Sequence, residues 1–171
     1  VESGIVSIGD AILITPSNTK LTVLQILTDN GPLKTAETGE NIRIVVKTQD
    51  INVTHSGYMI SHEAYAPIAK TYFNAIVKFY NLESIITNGF SCAMHSHTSA
   101  ESIIIKLSEE IDTKGNTLQK NPKFVSNNCL VKVHITTEHP IVLEPYDISP
   151  QLGRFLLRDN QKTIGFGKIL I

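Results

Sequence analysis

The stretch Leu130-Val131-Lys132-Val133-His134-Ile135-Thr136 alternates between apolar and polar side chains. Its odd-numbered residues are all apolar, and its even-numbered residues are mostly polar. Because successive side chains of a strand point to opposite faces of the sheet, this pattern predicts a strand with one buried face and one face in water.

Short β-branched runs separated by turn residues fill the first third of the chain. The runs are Ile5–Ile8, Ala11–Thr15, Leu21–Leu27 and Asn41–Lys47, and the breaks are Gly9-Asp10, Pro16–Asn18, Asp29–Pro32 and Thr38–Glu40. Such runs are typical of antiparallel barrels and sandwiches. The one amphipathic helix candidate, Ser102–Ile111, contains three consecutive isoleucines, which favour a strand. We therefore expect an all-β fold with almost no regular helix.

A change of composition near Ser61–Pro67 indicates a domain boundary. This segment is not strand-like, and a long apolar strand, Tyr72–Tyr80, is predicted after it. The sequence therefore predicts two small all-β domains, residues 1–66 and 67–171.

Composition excludes several classes of protein. The 171 residues are 42% hydrophobic and 18% charged, which is too apolar for a disordered chain. The net charge of −1 disfavours strong independent binding of nucleic acid, which usually needs a basic excess. No apolar run approaches the length of about 20 residues that spans a bilayer, and two cysteines do not make a disulfide framework. Because the chain begins at Val1 without methionine and ends at Ile171 in an apolar run, we expect a cytoplasmic fragment of a longer protein, with no membrane contact.

The sequence contains few residues that could form a nucleotide-binding or catalytic site. No P-loop and no dinucleotide-binding glycine motif occurs, and the glycines of Gly165–Lys168 are interpreted as relieving crowding in a barrel strand. Cys92 or Cys129 is a conceivable nucleophile, but no base is placed beside either, and buried free cysteine is common. The acidic group Glu109–Asp112 is interpreted as a solvated loop.

A metal site has one candidate, Cys92 with His95 and His97. On a strand the two histidines would share a face and chelate together, whereas Cys92 would point the other way. A fourth ligand would have to come from His134, His139 or Cys129. No metal-binding spacing supports this, so we favour a strand whose imidazoles form local hydrogen bonds.

The most informative segment is Pro150–Asp159. On a strand its residues divide into one face with Leu152, Arg154, Leu156 and Arg158, and another with Gly153, Phe155, Leu157 and Asp159. Guanidinium groups beside exposed aliphatic side chains are typical of a protein-binding surface. The alternative is a surface network in which the arginines pair with Asp147 and Asp159, and the residues alone favour neither.

Gly153–Asp159, followed by Lys162–Ile169, resembles the last strands of the translational GTPases of the elongation factor Tu and elongation factor one-alpha superfamily. Pro122–Val125 looks like their third domain, and three segments look like their second: Val1–Gly4, Gly9-Asp10 and Thr38–Ile42. The resemblance covers essentially the whole chain, and the motifs occur in the family's order.

Within the superfamily, Gly89–Thr98 is similar to the corresponding motif of the eukaryotic class II release factor, including its two histidines. Arg158–Ile164 is also closer to that factor, whereas Ser96 stands where it usually has an apolar residue. The ribosome-rescue GTPase that partners Pelota shares the Gly89-Phe90 start and a stretch like His139–Glu144, and it is the alternative.

The resemblance implies two antiparallel β-barrels in tandem that dock a partner and have no catalytic activity of their own. In the release factor, the third domain binds the C-terminal domain of the class I release factor, and the GTPase couples nucleotide state to delivery of that partner on the ribosome. GTP and Mg²⁺ would belong to a GTPase domain expected upstream of Val1. The first strand of the second domain is also expected to be missing. Elongation factor one-alpha, whose barrels grip aminoacyl-tRNA, is a further alternative.

The family's partner-binding strand matches Gly153, Arg154, Phe155, Leu156, Leu157, Arg158 and Asp159. We expect Arg154, Leu156 and Arg158 to contact the partner because they share one face, and Phe155 and Leu157 to fix the strand from behind. The candidate site also includes His95, His97 and Thr98, which match a family motif. No catalytic residue and no metal ligand is assigned.

Overall fold

Strands make up nearly all of the regular structure in the computed structural model, which describes residues 1–48 and 54–170. The chain divides into two compact units, Val1–Pro67 and Ile68–Ile171. The division falls one residue after the boundary drawn from the sequence. Residues 49–53 of the first predicted domain and Ile171 of the second lie outside the described residues. In the described part, no helix is long and apolar enough to cross a membrane.

The described strands of the first unit form a half-barrel. Its strands are β1 (Ile5–Ser7), β2 (Ala11–Thr15), β3 (Thr19–Thr28), β4 (Gly31–Leu33), β5 (Thr35–Glu37), β6 (Arg43–Val46) and β7 (Met59–His62), and a 3₁₀ turn, Glu63–Tyr65, follows. Strands β4, β3, β2 and β7 are neighbours in that order, β6 also pairs with β3, and β1 pairs with β5. A small core of Ile12, Val23, Ile26 and Ala36 lies inside this half-barrel.

The predicted turn at Gly9-Asp10 shows how the sequence joins these strands. Gly9 has a φ of 95°, which a residue without Cβ adopts readily. The Asp10 carboxylate accepts a hydrogen bond of 2.8 Å from the Ser7 backbone N–H, so it closes the turn between β1 and β2.

In the second unit, six of the nine described strands close into a barrel. The strands of this unit are β8 (Ile68–Phe79), β9 (Ile86–Thr87), β10 (Phe90–Ser96), β11 (Ser99–Ile111), β12 (Thr117–Lys120), β13 (Phe124–Val125), β14 (Leu130–Leu143), β15 (Arg154–Asp159) and β16 (Lys162–Ile169). The order around the barrel is β10, β15, β16, β8, β14 and β11, and β11 pairs again with β10. Strand β12 extends the sheet beside β11, and β9 pairs with β13.

Side-chain alternation builds the barrel core. The stretch Leu130–Thr136 lies in β14, where Val131, Val133 and Ile135 are buried. The helix candidate Ser102–Ile111 forms most of β11, as its isoleucines indicated. The predicted all-β fold of two barrel units is confirmed, with the second unit closed and the first open among the described residues.

The glycines of Gly165–Lys168 lie where neighbouring atoms leave no room for a side chain. A Cβ on Gly167 would approach the Phe155 ring to 2.3 Å, and a Cβ on Gly165 would lie 2.9 Å from the Lys78 carbonyl oxygen. The interpretation that these glycines relieve crowding is confirmed. The ring of Phe155 fills the space above Gly167 and meets Phe73 edge-to-face, with 6.2 Å between the ring centroids.

Replacing Phe155 with alanine is expected to lower the free energy of unfolding by about 3–5 kcal/mol, because it removes a buried ring and leaves a cavity. Leu156→Ala is the matched control, because Leu156 lies one position along the same strand and is 46% exposed. Denaturant unfolding of both variants measures the effect. Equal losses in the two variants would contradict the assigned faces of β15.

Ser96 is an unsatisfied polar residue in the barrel interior. It is 4% exposed, and its buried hydroxyl has no hydrogen-bond partner within the described part of the chain. This is the position where the sequence departs from the apolar residue of the release factor pattern. A buried hydroxyl without a partner is unfavourable, so Ser96 lowers the stability of the second unit.

Ser96→Ala is therefore expected to raise the free energy of unfolding, by about 1 kcal/mol. Ser91→Ala on the exposed face of the same strand should change it by less. Thermal unfolding followed by calorimetry compares the two, and a clear loss of stability in the Ser96 variant would refute the assigned environment of its hydroxyl.

Candidate partner-binding site

Within the segment Gly153–Asp159, residues Arg154–Asp159 form β15, which lies between β10 and β16 in the closed barrel, and Gly153 directly precedes the strand. Phe155 and Leu157 point inward and are buried. Arg154 is exposed and Leu156 is 46% exposed on the outer face. Because both neighbouring strands are hydrogen-bonded to β15, the outward side chains stand on a backbone with little freedom to move.

Gly153 serves the backbone rather than the outer surface. A Cβ at this residue would lie 2.3 Å from the Cα of Tyr146, so no other residue fits without a shift. The Gly153 N–H donates to the Ser149 carbonyl at 2.8 Å, and the Gly153 carbonyl accepts from the Ile169 N–H at 2.8 Å. The glycine therefore anchors the start of β15 against the preceding loop.

Arg158 fixes the turn between β15 and β16. Its Nη2 donates to the Gln161 carbonyl at 2.8 Å, and its buried Nε has no hydrogen-bond partner among residues 1–48 and 54–170. Asn160 and Gln161 form a two-residue turn with φ values of 45° and 68°, as a type I′ hairpin requires. The pairing register with β16 shifts between Leu157 and Arg158, where Ile164 is the extra residue on β16, whereas β15 keeps its regular pairing with β10.

In the described part of the chain, Arg154 and Arg158 do not form the ion pairs that were considered as the alternative for this segment. Among the described residues, neither Arg154 nor Arg158 forms an ion pair with Asp147 or Asp159. The surface network that stood as the alternative for this segment is therefore absent from the described part of the chain. The Arg154 guanidinium is exposed to solvent beside Leu156.

Of the three candidate residues in the segment Gly89–Thr98, two lie away from the outer face of β15. His95 pairs in register with Leu156, so the two side chains are neighbours across the strands. His97 and Thr98 form the turn that joins β10 to β11, where His97 has a φ of 52°. The structure thus places His95 of β10 beside the outer face of β15, and it places His97 and Thr98 in the turn between β10 and β11.

Cys92 lies inside the barrel and does not join the histidines. Burial, with a smaller contribution from the Asp159 carboxylate, raises the pKa of its thiol from 9.0 to about 12. Both Cys92 and Cys129 are free thiols. Within residues 1–48 and 54–170, no group of three or more His, Cys, Asp or Glu side chains is arranged to hold a metal ion.

The acidic group Glu109–Asp112 differs from the solvated loop that was expected. Glu109 and Glu110 lie in β11, and only Asp112 belongs to the turn that follows. Glu109 accepts a hydrogen bond of 3.0 Å from Lys132, which holds the pKa of that carboxyl below its usual value. Asp112 accepts hydrogen bonds from the Asn116 backbone and side chain, so it stabilises the turn.

Phe166 and Lys78 are surface residues that the sequence analysis did not assign to the site. Phe166 is 48% exposed, and its register partners are Leu156 on one side and Lys78 on the other. Because Gly165 and Gly167 face the interior, the residue between them must face outward. The alternation of Gly165, Phe166 and Gly167 is visible in the sequence. That Phe166 lies beside Leu156 follows only from the strand order.

Comparison with known proteins places the chain in a family. A family model described as GTP-eEF1A C-terminal domain-like matches residues 72–170, more than half of the chain, and the chain belongs to that family. Among its curated relatives are two eukaryotic peptide chain release factor GTP-binding subunits. The subunit from Dictyostelium discoideum is 34% identical over 177 residues, and the one from Candida maltosa is 33% identical over 172 residues.

The matched regions cover 99% of this chain but only 32% and 24% of those two relatives. The chain therefore spans about a third or less of the length of the curated relatives it matches. Crystal structures of sup35 complexed with GDP and with GMPPNP match it with TM-scores of 0.91 and 0.90 and identities of 28% and 29%. Each match covers 99% of this chain and 42% of the sup35 chain. The resemblance drawn from the sequence motifs is confirmed.

The two thiols should differ in reactivity toward a thiol reagent near neutral pH. Cys92 is buried and its raised pKa keeps it protonated, so it is expected to react only when the protein unfolds. Cys129 is half-buried and should react first. In a Cys129→Ser variant, the folded protein should show no rapid reaction. A rapid reaction in that variant would mean that Cys92 is accessible.

Proposed function

We propose that this chain is the barrel region of a translation termination GTPase and that it binds the C-terminal domain of the class I release factor. The outer face of β15 is the proposed docking site, with Arg154 and Leu156 as the contacting side chains. The observation that carries the proposal is an exposed guanidinium beside a half-exposed leucine, on a strand paired on both sides. Among the residues that the structure describes, this guanidinium has no acidic partner. The names of the curated relatives support the assignment to termination.

Arg154 and Leu156 have the properties of binding hot spots. Arginine is enriched among residues whose truncation costs binding energy, because its planar group forms several hydrogen bonds at once. A side chain on a rigid strand loses little further backbone freedom when a partner binds, so less of the interaction energy is offset by ordering. His95, opposite Leu156, extends the same surface.

The other residues of the matched motif hold this face in place. Gly153 permits close contact with the backbone of Tyr146, and Phe155 and Leu157 pack in the core. We propose that Arg158 acts through its hydrogen bond to Gln161, by fixing the turn, rather than by direct contact. His97 and Thr98 would lie at the margin of the interface.

The proposed role is docking without catalysis. GTP and Mg²⁺ would be bound elsewhere in a longer protein, whose nucleotide state would be coupled through these barrels to delivery of the class I factor on the ribosome in the cytoplasm. A fluorescent GTP analogue is accordingly expected not to bind this chain. Saturable binding of the analogue would contradict a non-catalytic role.

Arg154→Ala is expected to weaken binding of the class I factor's C-terminal domain by about tenfold or more, as for a hot-spot residue. The fold should be unchanged, because the side chain is exposed. Calorimetric titration measures the affinity, and thermal unfolding measures the fold. Arg43→Ala is the matched control, since Arg43 is an exposed arginine of a strand in the first unit. Wild-type affinity in the Arg154 variant would refute the assigned site.

Two parallel titrations separate this function from its relatives. Pelota in place of the class I factor tests the ribosome-rescue role, and tRNA in filter binding across a salt series tests an elongation role, since phosphate contacts give a steep salt dependence. We expect the class I factor to bind more tightly than Pelota or tRNA. Preference for Pelota or for tRNA would overturn the assignment to termination.

A further inference from the structure

A row of four outward side chains crosses the barrel surface from β10 to β8. Register pairs of neighbouring strands place His95 opposite Leu156, Leu156 opposite Phe166, and Phe166 opposite Lys78. Residues directly opposite one another on neighbouring strands have Cβ atoms about 4.5–5.5 Å apart. The row therefore forms one continuous surface on four strands, although its members are far apart in the sequence.

The centre of the row is apolar and rigidly held. Leu156 is 46% exposed and Phe166 is 48% exposed, and they face each other across β15 and β16. The Phe166 ring also meets Tyr80, with 5.9 Å between ring centroids. Strand β16 is paired with β8 from Gly165 to Ile169, and the space beside Gly165 leaves no room for a side chain.

Cations surround this apolar centre. Lys78 pairs in register with Phe166, and Arg154 pairs in register with Lys168 in the adjacent row. In the described part of the chain, none of these three cations has a carboxylate within ion-pair distance. The Lys168 ammonium lies over the Tyr146 ring at 5.5 Å from its centroid. Arg154 and Lys168 therefore place two like charges opposite each other on one surface, which is unfavourable without a negatively charged partner.

We propose that these five residues, Lys78, Arg154, Leu156, Phe166 and Lys168, form a cationic apolar patch that binds an amphipathic helix whose apolar residues are flanked by carboxylates. The inference rests on the proposed function and extends its docking site from β15 to β16 and β8. Lys78, Phe166 and Lys168 are the new contact residues.

Charge determines the chemistry of the partner. Covering the patch removes water from the cations, and a buried charge is costly unless an opposite charge and hydrogen bonds replace that water. Because this chain supplies no carboxylate to the three cations within its described residues, the partner has to bring them. The apolar pair between the cations requires apolar side chains at the centre of the same partner surface.

Width determines the shape of the partner. Four neighbouring strands are separated by three spacings of about 4.8 Å, so the row is about 14 Å wide. A helix with its side chains is about 10–12 Å in diameter, and its apolar stripe can lie on Leu156 and Phe166 while acidic residues on its flanks reach the cations.

The test is calorimetric titration of four variants of this chain with the class I release factor's C-terminal domain. Phe166→Ala is compared with Phe124→Ala, because Phe124 is a phenylalanine of similar exposure, 56%, on β13 outside the patch. Lys78→Glu is compared with Lys106→Glu, because Lys106 is an exposed lysine on β11 in register with His134. Thermal unfolding checks that all four variants keep the fold.

Phe166→Ala is expected to weaken binding by about tenfold, and Lys78→Glu severalfold, while the two controls bind as the wild type does. Added salt should weaken wild-type binding and should affect the Lys78→Glu variant less, because salt screens the lost charge pair. If the wild type binds but the Phe166 and Lys78 variants match it, the patch is wrong and docking through Arg154 still stands. If the wild type does not bind the class I domain, both proposals are overturned.

Discussion

The packing of Phe155 against Gly167 is the constraint on which the arrangement of the site depends. The aromatic ring occupies the space that a side chain on the neighbouring strand would need, so β15 and β16 fit together in one register. A shift by one residue would turn every side chain of β15 to the opposite face. With Phe155 inside, Arg154 and Leu156 must lie outside, and the closed barrel leaves them no alternative position.

This constraint explains why most of a short motif serves the structure and little of it faces a partner. Gly153, Phe155 and Leu157 form the inner part of the motif, and Arg158 closes the turn. The outward side chains then add to those of other strands to make a surface that no single segment contains. A rigid surface of this kind suits a docking element, because its binding energy is not spent on ordering the chain.

The sequence predicted the features that depend on local alternation and missed those that depend on strand order. The faces of Leu130–Thr136 and of Phe155 and Leu157 follow from a period of two, and the resemblance supplied the family. The hydrogen bond from Arg158 to the turn could not be predicted, because it depends on the hairpin conformation of Asn160 and Gln161, whose φ values are positive. The half-barrel formed by the described strands of the first unit and the place of Phe166 also depend on non-local strand pairing, which a single sequence does not specify.

The most direct test of the central claim is a methyl NMR titration with the class I release factor's C-terminal domain. Leu156 and Leu157 are adjacent in the chain and point to opposite faces of β15, so their methyl groups report on the two faces separately. The account predicts that the Leu156 methyl signals shift strongly on binding while those of Leu157 change little. Strong shifts of Leu157, or of exposed Leu24 in the first unit, with Leu156 unchanged would contradict it.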